Sequence, residues 1–62
     1  MLTLREWRRA KDISREEIAK ALGVHVNTYS AWEKDSGKIP IGKALLIAEI
    51  LGVQFDEIIF SD

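Results

Sequence analysis

The chain is 62 residues long, carries a net charge of −1, and is 47% apolar and 31% charged. That is length for a single domain over residues 1–62. A domain this small buries only about 60% of the surface its unfolded chain exposes, so it needs efficient packing, a metal, a disulfide or a partner. With no cysteine, disulfides and thiolate zinc are excluded, and one histidine excludes zinc held by several imidazoles.

The helical apolar spacing recurs along the chain, and strand signals are nearly absent. The expectation is an all-α, compact bundle of five helices. The first covers residues 4–11, with Leu4, Trp7 and Ala10 facing inward. Asp12 ends it in a left-handed turn, which Asp tolerates better than most residues. Ser14 opens the second helix, and Glu17 completes a capping box. Ile18, Ala19 and Leu22 form its buried stripe, and Gly23 is a positive-φ stop. The third helix is Val26–Lys34, with Tyr29 and Trp32 turned inward. Residues 35–40 carry turn residues and form a loop. The fourth helix is Ile41–Leu51, buried along Ala44, Leu45, Ile47, Ala48 and Leu51, and stopped by Gly52. A last helical turn over residues 55–60 covers the bottom of the core. The strongest apolar run, "ALLIAEILGV", is broken by Glu49 and too short to span a bilayer, so no membrane partner is expected. No apolar run follows the early arginines as it would in a signal peptide, and a cytoplasmic protein is expected.

Seven positions define the second and third helices together: apolar at 18, small at 19, apolar at 22, glycine at 23, and apolar at 24, 29 and 32. A generic helical hairpin does not need all seven, whereas a helix-turn-helix does. With Tyr29 and Trp32 inward, the opposite face begins with His25, Val26 and Asn27, and Ala31 follows one turn later. An α-helix fits the major groove of B-DNA and reads it with its N-terminal residues. These four are the base-reading candidates. Asn27 can pair bidentately with adenine, and Val26 can touch a thymine methyl. His25 can donate or accept, which leaves its base preference open. Thr28 lies to one side, toward a phosphate. Arg15, at the start of the second helix, and Lys34, Ser36, Lys38 and Lys43, in or beside the following loop, complete the phosphate-contacting set. Charge is segmented to match: residues 1–15 carry +3, 16–33 carry −2, 34–43 carry +2 and 44–62 carry −4. Taken alone, such a pattern is better read as solvated surface charge. Trp7 and Trp32 are read as core rather than as stacking platforms. His25 has no partner for acid–base catalysis, and no enzyme is expected.

The ordered set "LREWRRAKDIS", "EEIAKALGV", "TYSAWEK" and "LLIAEILGVQFDEII" resembles the lambda-repressor-like, Cro-type (XRE-like) helix-turn-helix DNA-binding domains over about residues 4–60. The resemblance implies a five-helix fold, a transcriptional regulator, and operator binding as a homodimer. It also implies a structural ion pair between Arg8 and Glu33. Four departures stand out. Arginine replaces a common glutamine at position 15, which strengthens phosphate attraction and loses the ability to brace another side chain. His25 stands where a Ser or Thr cap is common, and histidine caps poorly. Ile41 and Gln54 likewise replace cap residues. Leu46 and Ile50, four apart on the fourth helix, occupy positions often polar or small. With Ile59 and Phe60 they form a dimer or partner patch, or simply the scattered surface apolarity normal in proteins.

The function expected is sequence-specific binding of a double-stranded DNA operator, most naturally as a repressor acting sterically. It calls for no cofactor, no metal and no small-molecule ligand. The alternative is a protein-interaction module on the same fold, such as an antirepressor or an antitoxin-type partner domain.

Overall fold

The turns explain how so short a chain closes on itself. In the computed structural model, which describes residues 1–60, three helices end in the same hydrogen-bonded device. At each end one residue takes a left-handed conformation: Asp12 (φ 57°), Gly23 (φ 72°) and Gly52 (φ 71°). The next amide reaches back to a carbonyl of the last turn: Ile13 to Arg8 at 3.1 Å, Val24 to Ala19 at 3.0 Å and Val53 to Ala48 at 3.1 Å. This is the Schellman motif, in which an apolar residue follows the left-handed one and packs on the helix it ends. Ile13, Val24 and Val53 all pack against the core.

The elements in order are β1 (Leu2–Thr3), α1 (Leu4–Ala10), α2 (Arg15–Leu22), α3 (Val26–Lys34), α4 (Ile41–Leu51) and β2 (Ile58–Ile59). Single 3₁₀ turns lie at Ser36–Lys38 and Phe55–Glu57. Capping boxes start three elements: Thr3 with Glu6 at α1, Ser14 with Glu17 at α2, and Gln54 with Glu57 at the second 3₁₀ turn. Thr3-x-x-Glu6 is written in the sequence as plainly as Ser14-x-x-Glu17 and belonged with it as a start signal. The α4 helix begins after Pro40 with no side-chain cap.

The chain is thus mostly helical, but with four α-helices among the described residues rather than five. The fifth expected helix is a 3₁₀ turn followed by β2, which pairs in parallel with β1: Leu2 opposite Ile58 and Thr3 opposite Ile59. Ile58 is buried in that pairing. Trp7 Nε1 donates to the Glu57 carbonyl at 2.9 Å, which ties α1 to the same segment.

The core is Leu4, Ile18, Ala19, Leu22, Tyr29, Ile39, Ala44, Ile47, Ala48, Leu51 and Ile58. Two inward assignments change, those of Ala10 and Leu45. Ala10 is exposed. Trp7 and Trp32, expected inward, are half-buried and pack against the core. Leu45 is 53% exposed, because the buried stripe of α4 runs 44, 47, 48, 51 and position 45 lies about a quarter turn off it. Leu46 and Ile50, expected outside the core, are half-buried and pack against it.

Candidate nucleic-acid interface

What aims α3 is a buried carboxylate. Tyr29 fixes the inner face from the middle of the helix and is fully buried. One turn on, the Glu33 side chain is 4% exposed and takes an arginine on each oxygen: Arg8 Nε on Oε2, and Arg15 Nε on Oε1 at 3.2 Å. Arg8 Nη1 also donates to the Ile13 carbonyl at 2.8 Å. One guanidinium therefore joins α1, the turn after it and α3. Burial alone would push the Glu33 carboxyl up, but the hydrogen-bonded guanidinium groups of Arg8 and Arg15 outweigh it and hold it below the ordinary carboxylate range. Burial works against the Arg8 charge in the same way, and Glu33 holds it above its ordinary range. The Tyr29 hydroxyl is buried beside this pair without a hydrogen bond of standard geometry. Burial first and the Glu33 charge second drive that phenol well above its ordinary range.

The expected Arg8–Glu33 pair is thus present and enlarged. Arg15 does brace another side chain, contrary to the expectation from the loss of glutamine. A guanidinium reaches Glu33 with one nitrogen, and the side chain stays 42% exposed. Arg15 lines a cleft of about 270 Å³ with Arg5, Ser30, Glu33 and Lys34. Because Glu33 is already neutralised from within, the cleft presents net positive charge to solvent. Arg5 was missing from the sequence-level set. Its place three residues before Arg8 on one helix puts both on the same side, which was the available signal.

At the other end of α3, His25, Asn27, Thr28 and Ala31 are exposed together. His25 is the N-cap, its Nδ1 accepting from the Asn27 amide at 3.0 Å. The expectation of poor capping is therefore overturned: a ring nitrogen can do what a hydroxyl does when the ring is free to lie over the helix end. Val26 is half-buried and packed against the core. Its isopropyl group is shared between the core and solvent.

The phosphate set divides. Thr28, Lys34 and Lys38 are exposed. Lys38 makes a loose pair with Asp35 at 3.7 Å, and such surface pairs are worth little. Ser36 is 5% exposed, too buried to meet a backbone phosphate, because the 3₁₀ turn folds it under the loop. Lys43 Nζ donates to the Leu22 carbonyl at 2.7 Å, placing its charge at the negative end of the α2 dipole. Of the apolar patch, Ile59 is 38% exposed. Phe60 is half-buried and stacks on Phe55 with ring centroids 5.0 Å apart. The more exposed apolar pair on α4 is Ile41 and Leu45, at 67% and 53%. Among the described residues no three His, Asp or Glu side chains gather as a metal site requires. No helix there is long and apolar enough to cross a membrane.

A helix-turn-helix family model matches residues 4–58, nearly the whole chain. The chain belongs to the helix-turn-helix family, XRE type. Two curated relatives agree. It is 30% identical over 56 residues to an HTH-type transcriptional regulator, YobD, of Bacillus subtilis, and 32% identical over 56 residues to the cryptic phage CTXphi transcriptional repressor RstR of Vibrio cholerae. Each alignment covers 90% of this chain and 50% of the relative, so the helix-turn-helix chain spans about half the length of the curated relatives it matches. No solved structure matches it at comparable significance.

Proposed function

We propose that this domain binds double-stranded DNA in a sequence-specific way and regulates transcription, as a repressor that occupies an operator and blocks polymerase or a competing regulator. The supporting observation is the aim of α3: Tyr29 and the Arg8–Glu33–Arg15 cluster hold one side, while His25, Asn27, Thr28 and Ala31 stand free at its leading end. The names of the two relatives point the same way. With the α3 tip in the major groove, Asn27 reads adenine, and Ala31 lies against a neighbouring base. Arg5, Arg15, Thr28, Lys34 and Lys38 take backbone phosphates. Two copies on adjacent half-sites make the active form, and the protein works in the cytoplasm. The exposed pair Ile41 and Leu45, with Ile59, is the apolar surface open to such a contact.

Selection from random duplexes tests this reading. The expected result is an enriched palindrome with half-sites about 10 bp apart. Binding should weaken with salt at a log–log slope near −0.9 for each phosphate neutralised, and Arg15→Ala should make that slope shallower by about one such step. Failure to enrich any sequence, with no salt-sensitive binding at low salt, rules the reading out. The alternative, a protein-interaction module, predicts that Asn27→Ala and Arg15→Ala leave function intact while Leu45→Glu removes association.

A further inference from the structure

We infer that His25 is a fixed hydrogen-bond donor that selects guanine at one position of the DNA half-site. The inference rests on the DNA-binding function proposed above and names a specificity within it. A backbone amide can only donate, so the ring atom it meets must accept. The Asn27 amide meets His25 Nδ1 at 3.0 Å. The lone pair of Nδ1 is therefore occupied, and in the neutral ring the proton sits on Nε2. The cap thus selects one of the two tautomers that the neutral ring offers.

The consequence lies on the far side of the ring. Nε2 is opposite the capping edge, His25 is exposed, and Nε2 makes no hydrogen bond among the described residues. At the leading end of the reading helix the protein therefore displays one N–H donor of fixed sense. In the major groove, guanine presents two neighbouring acceptors, O6 and N7, and no donor. Adenine sets a donor beside its N7, thymine sets a methyl beside its O4, and cytosine offers a donor. A lone donor fits guanine best and is repelled by cytosine. Asn27, whose amide both donates and accepts, has no such restriction. The two adjacent side chains therefore read by different rules, and the backbone amide shared between them sets one of those rules.

The test separates this inference from the function beneath it. His25→Ser keeps a good N-cap in a side chain too short to reach a base edge once it is spent on capping. Wild type and His25→Ser are each put through duplex selection, and their melting curves check that both are folded. Wild type should enrich guanine at one half-site position that His25→Ser leaves unselected. Replacing that guanine should weaken wild-type binding by about tenfold and variant binding by less than about twofold. Nitrogen-15 spectra of the free wild-type ring at mildly alkaline pH should show the proton on Nε2. A proton on Nδ1, or no guanine whose enrichment depends on His25, overturns the inference even if DNA is bound. The Nε2–H form with no sequence enriched by wild type shows that the DNA-binding function itself has failed, and the inference falls with it.

Discussion

The α3 and α4 helices sit in the same core and are held by opposite means. The α3 helix carries one fully buried apolar side chain, Tyr29, and a carboxylate that draws arginines from α1 and α2. The α4 helix carries four buried apolar residues, no side-chain cap, and no acidic or basic residue in its first or last turn, respectively. Burial of aliphatic groups is non-directional, so, the Lys43 hydrogen bond to the Leu22 carbonyl apart, α4 is strongly held without being finely aimed. An ion pair with hydrogen bonds to both carboxylate oxygens is directional. On the proposed function α3 presents particular side chains to a duplex, and such a helix gains from the second kind of restraint. The helix that fills the core behind it does not need it.

Substitution at the two anchors sharpens this contrast most. Glu33→Ala leaves the Arg8 guanidinium buried with no counter-charge, a change worth about 3–5 kcal/mol. Ile47→Ala, at the fully buried centre of α4, costs about 2–5 kcal/mol through lost burial and a cavity. Urea midpoints measure both. The two losses are similar in size but differ in what reverses them. Replacing the pair together, Arg8→Met with Glu33→Leu, should restore most of the stability. It should not restore DNA affinity, because α3 has then lost its directional restraint and Arg15 its partner. If the double variant binds DNA as the wild type does, the cluster stabilises α3 without aiming it.

Acidification breaks the same contrast by a smaller amount. The Glu33 carboxyl, ordinarily at 4.5, is held lower in the folded chain. A depressed carboxyl contributes stability that is fully present above its unfolded value and is lost as pH falls through its folded one. The urea midpoint should therefore hold from neutral pH to about pH 5 and then fall. The capping-box carboxylates of Glu6 and Glu17, lowered by hydrogen bonds from Thr3 and Ser14, shift in the same direction. Glu33→Gln should flatten the fall while leaving the share of the two caps. An unchanged acid limb in that variant would show that the Glu33 charge does little to hold the fold.

The sequence carried most of what is local and little of what is not. The bounds of α3 and α4, the Ser14 capping box and the left-handed turns at Asp12, Gly23 and Gly52 are each written within a few neighbouring residues. The expectation for them matches the structure. The 3₁₀ turn and β2 were read as helix because Ile58 and Ile59 become a strand only by pairing with Leu2 and Thr3 at the other end of the chain. The partners of Arg15 and Lys43 are equally remote. His25 was misjudged for another reason: frequency among caps says how often a residue type serves, while the ring's reach to the Asn27 amide is a matter of one rotamer. Leu45 and Leu46 exchanged places because Ala44 to Ala48 is apolar at every position, so period alone cannot choose the buried stripe.

That exchange yields the smallest predicted effect. Leu45 is 53% exposed while Leu46 packs against the core, although they are neighbours of identical chemistry. Leu45→Lys should change stability, read from the urea midpoint, by no more than about 0.5 kcal/mol, as surface substitutions do. Leu46→Lys should cost about 1–3 kcal/mol, because it strands a charge at the core's edge. Equal effects would mean that α4 is rotated from the orientation described here, and the contrast with α3 would lose its basis. Sedimentation of the same two variants adds a second reading. If Leu45→Lys lowers self-association at unchanged monomer stability, the outer face of α4 is a contact between copies. Its apolar surplus then serves assembly as well as packing.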